Sequence, residues 1–288
     1  APMACLLLAP DTASTLRSSN PHAEHQMEST STAPASAAIE AGSRLKIDDP
    51  DAFKPGNVTL SLHIFGKDGQ ELTPEDLKVV HDKRLHLLLV RDDMTQFQHL
   101  HPVYTNEEWT VTTTIPEQGD YQLYTDISPE KEAPVILRTP IRVGGTTITK
   151  TFPTPNAGQT AMDGDVLATL TSNGVFKTSE AKELTFALTK NGQPVKNIEP
   201  YLGAFGHVVI LRHNAPDEFL HVHPITETKP ADEKVVFGTT FTTPGRYTLY
   251  AQFNIGGAVK TFPITIDIVD NTGTTQMQNM DHMHHGER

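Results

Sequence analysis

The chain has 288 residues, 37% of them hydrophobic, with 14 histidines, one cysteine and a formal net charge of −12 from 23 Lys+Arg against 35 Asp+Glu. That balance excludes a basic surface for nucleic acid or anionic membrane, and the lone Cys5 excludes an internal disulfide framework or a thiolate metal cage. No apolar run is long enough to span a bilayer, and the length suits about two domains.

Residues 1–44 divide into an apolar start and a polar tether. Small residues precede Cys5, as in a lipoprotein cleavage box, and Cys5-Leu6-Leu7-Leu8-Ala9 also suits the remnant of a signal peptide. Both readings predict export, to the periplasm, the cell surface or the medium; Pro2 stands where a cleavage box has Leu, which leaves lipidation of Cys5 open. The stretch from Thr12 to Ser43 is Ser, Thr, Ala and Pro with scattered charges, too polar to build a core, and reads as a disordered tether. Within it, Pro21-His22-Ala23-Glu24-His25-Gln26-Met27 is a sparse His/Met cluster.

Two modules follow, at 45–145 and 163–270, joined by a linker at 146–162 that contains Pro153, Pro155 and Gly158. Thr59-Leu60-Ser61-Leu62 with Asp68-Gly69 answers Leu184-Thr185-Phe186-Ala187-Leu188 with Asn191-Gly192, and both dipeptides are hairpin-turn signals. Leu85–Val90 and His207–Leu211 are almost continuously apolar, as strands central to a core are. Trp109–Ile115 and Val235–Thr243 carry β-branched alternation. Gly119-Asp120-Tyr121-Gln122-Leu123-Tyr124 and Gly245-Arg246-Tyr247-Thr248-Leu249-Tyr250 open further strands, and resemble the tyrosine corner of immunoglobulin-like domains, which assigns Tyr121 and Tyr247 a structural role. The one helical candidate, Pro74-Glu75-Asp76-Leu77, is replaced in the second module by Ile198-Glu199-Pro200-Tyr201. The expected fold is all-β: two tandem immunoglobulin-like β-sandwich domains with disordered N- and C-terminal segments.

The duplication also repeats a histidine pattern. His86 opens one apolar run and His99-Leu100-His101-Pro102 closes the following one; His207 and His221-Val222-His223-Pro224 do the same in the second module. Alternate strand residues share a face, so His99 and His101 point together. A hairpin centred between Asp93 and Met94 sets His86 across from His101 and Leu88 across from His99; one centred on Ala215, its loop one residue longer, sets His207 across from His223. His86, His99 and His101, and likewise His207, His221 and His223, are therefore the candidate metal ligands. Three neutral imidazoles suit Zn²⁺, Cu²⁺ or Ni²⁺, and the prolines suggest abrupt strand ends that leave each site at a rim open to ions. A histidine at the start of a strand also serves as a hydrogen-bonded structural residue, and a duplication copies either role. His63 and His81 have no counterpart in the second module and read as incidental, and His213 is an outer-ligand candidate in the turn.

The tail, 271–288, is polar and predicted disordered, and it gathers Met277, Met280, His282, Met283, His284 and His285 around Asp281. Thioethers favour Cu(I) and imidazoles take copper or zinc, so Met280, His282, Met283, His284 and His285 form a second candidate metal site.

The run Gly206-His207-Val208-Val209-Ile210-Leu211-Arg212, with Phe219-Leu220-His221-Val222-His223-Pro224 and Pro244-Gly245-Arg246-Tyr247, resembles secreted bacterial immunoglobulin-like domains of the YtkA-like and CopC-like groups. The first module departs from it with Leu85 for Gly206 and Gln98 for Leu220, and the N-terminal histidine of CopC-type sites has no equivalent. The resemblance implies an exported metal-handling sandwich with copper as the favoured ion. The reading that results is a non-enzymatic metal-binding protein, copper favoured over zinc, with a His₃ site in each module. Its partners would be metal ions and a membrane transporter or metallochaperone, and its only membrane attachment a lipid on Cys5. A structural or adhesive tandem protein with structural histidines is the alternative. A metal-dependent hydrolase is a third reading, disfavoured because no repeated carboxylate adjoins the His motifs.

Overall fold

The computed structural model describes residues 42–145, 148–225, 229 and 234–271. Among them the regular structure is β-strand, apart from two short 3₁₀ turns at Pro74–Asp76 and Ala157–Gln159. The first domain is built from β1 (Arg44–Ile47), β2 (Gly56–Phe65), β3 (Leu85–Arg91), β4 (Phe97–Leu100), β5 (Val103–Thr105), β6 (Glu108–Ile115), β7 (Gly119–Ile127) and β8 (Val135–Val143). They form two antiparallel sheets, β1-β2-β6-β5 and β4-β3-β7-β8. The inner faces supply a shared core that includes Leu60, Leu62 and Ile64 from one sheet and Leu85, Leu87, Leu89 and Leu123 from the other.

The second domain adds β9 (Thr160–Asp163), β10 (Val166–Ser172), β11 (Ala181–Lys190), β12 (Gln193–Pro194), β13 (Ile198–Glu199), β14 (His207–Arg212), β15 (Ala215–Val222), β16 (Lys234–Thr240), β17 (Gly245–Ile255) and β18 (Ala258–Ile268). One sheet runs β12-β11-β10-β9 with β16 also on β11; the other runs β13-β17-β14-β15 with β18 also on β17. The place of the first domain's 3₁₀ turn is taken by β13, which pairs Ile198 with Ile255. Four sheets thus make two copies of one sandwich.

Both tyrosine corners are present. The Tyr121 hydroxyl donates to the Glu117 carbonyl (2.8 Å) and that of Tyr247 to the Thr243 carbonyl (2.7 Å), each tying a strand to the loop four residues back. The glycine that opens each of these strands is required by crowding: a Cβ on Gly119 or Gly245 would lie 2.8 Å from the Nε of Arg91 or Arg212.

Every residue of β3 is buried, although only alternate ones face its own core. The others, Leu88 and Val90, join Met94, Tyr124, Val209, Leu211, Phe219 and Tyr250 in a third apolar cluster shared by the two domains. The domains therefore dock sheet against sheet, β4-β3-β7 on β15-β14-β17. The contacts are reciprocal. Tyr124 stacks on Phe219 (5.0 Å between centroids) and its hydroxyl donates to the Pro216 carbonyl (2.8 Å). Tyr250 stacks on Phe97 (4.2 Å) and donates to the Met94 carbonyl (2.7 Å). The continuous apolar runs of β3 and β14 are explained by this second burial.

A shared core predicts that the two domains unfold together. Phe219→Ala should cost about 3–5 kcal/mol and split the single denaturation transition into two, as followed by intrinsic fluorescence and circular dichroism. A single transition at unchanged midpoint would contradict the docking.

Candidate metal centre

Each triad is placed by a hairpin. In the first domain Leu88 pairs with His99 and Leu87 with Leu100, so the register carries His86 across from His101. In the second, Val209 pairs with His221 and Val208 with Val222, which carries His207 across from His223. The second turn is tighter than its length suggests: Arg212 already pairs with Ala215, and a shift between Leu211 and Arg212 absorbs the extra residues in β15. One ring nitrogen from each of His86, His99 and His101 lies within 4.8 Å of the other two, and the same holds for His207, His221 and His223. His86 and His207 are buried and the other four half-buried.

The hydrogen bonds sort the ring nitrogens. His86 Nε2 donates to the Val80 carbonyl (2.9 Å) and His207 Nε2 to the Tyr201 carbonyl (2.7 Å), six residues upstream in both cases. His99 Nδ1 donates to Gln252 Oε1 (2.9 Å), and His221 Nδ1 to Asp126 Oδ2 (3.0 Å). In a neutral imidazole one nitrogen carries the proton, so the opposite nitrogen of each ring presents a bare lone pair. His86 Nδ1 and His99 Nε2 then face each other, lone pair to lone pair, at 3.2 Å. Such a pair repels unless a cation sits between. Two imidazoles bound to zinc at 2.0–2.1 Å in tetrahedral geometry hold their nitrogens about 3.3–3.4 Å apart. His207 Nδ1, His221 Nε2, His223 Nε2 and His101 Nε2 are buried with no hydrogen-bond partner among the described residues. The donor set, three neutral imidazoles with converging nitrogens and two of the three outer N–H groups anchored in each triad, fits a borderline metal ion.

The two triads share one interface. Gln252 lies across from His207 on the neighbouring strand, and Asp126 across from His86; each thus belongs to one domain and holds a ligand of the other. His86 comes within 6.0 Å of His221 between centroids, and His99 within 5.8 Å of it. The expectation of two separate sites at open rims is corrected accordingly: each faces the partner domain.

Burial sets the protonation. It lowers His99 and His221 well below 6.5, aided by neighbouring imidazoles, chiefly His221 for His99 and His207 for His221. It lowers His101 and His207 to about 4, against the Tyr201 hydrogen bond in the case of His207. His223 and His86 shift the same way from the same cause. Burial pushes the Asp126 carboxyl up, opposed by His86 and His81. The imidazoles are therefore uncharged at neutral pH, the state that binds metal.

His81, read from sequence as incidental, is part of the cluster: it stacks on His223 (3.7 Å, 25°) and lies 5.7 Å from His207. Asp126 and Gln252 carried a signal that spacing rules overlook, a polar residue two positions after the second tyrosine of each Tyr-x-Leu-Tyr. His213 is no outer ligand of the triads. It is buried at the far end of the hairpin, donating or accepting at Thr248 Oγ1 (2.8 Å) and stacking on Phe152 of the linker (4.8 Å). His63 sits on the outer sheet with Glu71 (2.5 Å). Cys5, the His22–Met27 cluster and the tail residues Met280, His282, Met283, His284 and His285 lie outside the described residues.

The domain of unknown function DUF8832 matches residues 38–143 and again 160–270. The chain belongs to the DUF8832 family. It carries the family's domain twice, and this match does not turn the resemblance to YtkA-like or CopC-like domains into membership of either. The chain has no match among curated protein sequences. It is similar to solved structures of a Salmonella alpha-2-macroglobulin mutant (12% identity, 82% of this chain and 15% of that one, TM-score 0.26). It is also similar to fibronectin(III)-like modules of Clostridium thermocellum CbhA (14%, 84% and 100%, 0.21) and to red sea bream transglutaminase (10%, 80% and 31%, 0.23). The chain spans only 15% of the first of these, and likeness at this level transfers no role.

The buried imidazoles make the metal-free protein acid-sensitive. Unfolded histidines titrate near 6.5, whereas folded His207 and His101 do so near 4. Between those values the unfolded chain binds protons that the folded chain refuses, so stability falls as pH falls from about 6.5 to about 4. The slope should be at most about 1.4 kcal/mol per pH unit for His207, and less for the better-solvated His101. Urea denaturation of chelator-treated protein between pH 7 and pH 4.5 measures it; a flat profile would contradict neutral burial.

Proposed function

We propose that this is an exported, non-enzymatic metal-binding protein, each of whose two domains holds one ion on a His₃ set. The observation that carries the reading is the sorting of ring nitrogens: outer N–H groups spent on Val80, Gln252, Tyr201 and Asp126, inner nitrogens convergent, two of them facing each other and the other four without a hydrogen-bond partner among the described residues. A purely structural role explains the outer hydrogen bonds. It gives no reason for the inner nitrogens to be buried facing one another.

Copper is the favoured ion and zinc the alternative. Three imidazoles accept either; the Met/His tail, read from sequence as a capture segment, tips the preference through its thioethers. Export and lipid attachment rest on the Cys5 region alone, and a transporter or metallochaperone partner on the capture-and-transfer logic of the tail. The non-enzymatic assignment is supported by Asp126, the carboxylate that hydrogen-bonds a triad ring, being committed to His221 rather than placed as a general base.

The test is metal content of the full-length protein after exposure to equimolar copper and zinc. His99→Ala/His101→Ala and His221→Ala/His223→Ala should each remove about one ion per chain while circular dichroism stays that of the parent, and tail substitutions at His282, His284 and His285 should remove only the remainder. Unchanged metal content in both double variants would sink the reading.

A further inference from the structure

The two triads are alike in their ligands and in their upstream carbonyls, and differ in one hydrogen-bond partner. Position two after the Tyr-x-Leu-Tyr run is Asp126 in the first domain and Gln252 in the second. Because the domains dock reciprocally, each residue serves the other domain's site: Asp126 holds His221 at 3.0 Å and Gln252 holds His99 at 2.9 Å. We propose that the second domain's triad is the tighter metal site, because its ligand His221 is backed by the carboxylate Asp126 where His99 is backed only by the Gln252 amide. This rests on the function proposed above.

The chemistry is that of an outer partner on a ligating imidazole. A carboxylate accepting the Nδ1–H draws that proton toward itself, which raises electron density at Nε2 and makes the ring a stronger donor to the ion. Its negative charge is felt by both triads, since Asp126 also lies across from His86, so the grading rests on the hydrogen bond to His221. An amide oxygen fixes the ring orientation but draws the Nδ1 proton less strongly than a carboxylate does. The asymmetry is compounded by His81, whose ring covers His223 at 3.7 Å. At the matching position, the one after the carbonyl that accepts from His86 or His207, the second domain has Leu202. Both residues adopt a left-handed backbone (φ 48° and 53°), so they occupy corresponding points of the fold. Outer-partner changes of this kind typically alter affinity by about 10–100-fold. Asp126 acts through His221 and is a positioning residue, and the two sites fill in order, second domain first.

The measurement is the Zn²⁺ dissociation constant, by competition with a chromophoric chelator, in the full-length chain with His282, His284 and His285 changed to Ala. In that background His99→Ala/His101→Ala leaves the second triad and His221→Ala/His223→Ala leaves the first. The second triad should bind about 10–100-fold tighter. Asp126→Asn should remove most of that advantage while Asp126→Glu retains it. Gln252→Glu should tighten the first triad, a gain that disturbed packing would not produce. Equal constants at the two triads, or an Asp126→Asn chain that binds as tightly as its parent, would overturn the grading alone. Zinc bound at neither triad would overturn the grading and the metal-binding function together.

Discussion

Burial of both faces of one strand in each domain is the constraint on which the rest of the structure depends. β3 and β14 lie central to their sheets, with one face in the core of their own sandwich and the other against the partner domain. A strand in that position has no solvent face on which to place a polar residue at low cost. His86 and His207 nevertheless sit there, on the same face as Leu88 and Val90 in one strand and Val209 and Leu211 in the other. Their polarity is compensated on one side by a backbone carbonyl, and on the other side the lone pair points at the remaining two rings.

Docking also explains why the sites cannot be understood one domain at a time. Tyr124 and Tyr250 cross the interface to carbonyls of the opposite hairpin, and those same hairpins carry the His-x-His pairs. The tyrosine contacts hold the two hairpins in register with the opposite sheet. That register delivers Asp126 to His221 and Gln252 to His99. An exposed pair such as Arg138–Asp217 (2.7 Å) also spans the boundary, but surface ion pairs contribute little beside buried rings and hydroxyls. The interface is thus both an apolar core and the outer hydrogen-bonding layer of each triad. Family membership adds the duplication itself, two copies of one domain, to this picture.

Duplication makes the departures from symmetry informative. Carbonyls six residues before the lone histidine, tyrosine corners, glycines crowded by arginines and aromatic stacks all recur in both halves. Against that repetition, Asp126 opposite Gln252 and His81 opposite Leu202 stand out as single changes around otherwise matching ligand sets. A difference confined to charge at a matched position alters electrostatics while leaving the fold of either copy intact.

The sequence by itself determined the local chemistry: strand positions from β-branched and apolar runs, turns from Asp68-Gly69 and Asn191-Gly192, and the pairing of His86 with His101 and His207 with His223. These follow from the two-residue period of a strand and the length of a hairpin loop, both written in consecutive residues. Tertiary structure alone decided that the two hairpin faces meet, that His81 belongs with His223, and that Asp126 and Gln252 trade places between domains. Those contacts join residues between 95 and 153 positions apart and depend on how two sheets pack. Alternation shows only that a face is apolar, and the physical reason it goes no further is that burial against one's own core and burial against a neighbour leave the same pattern in the chain.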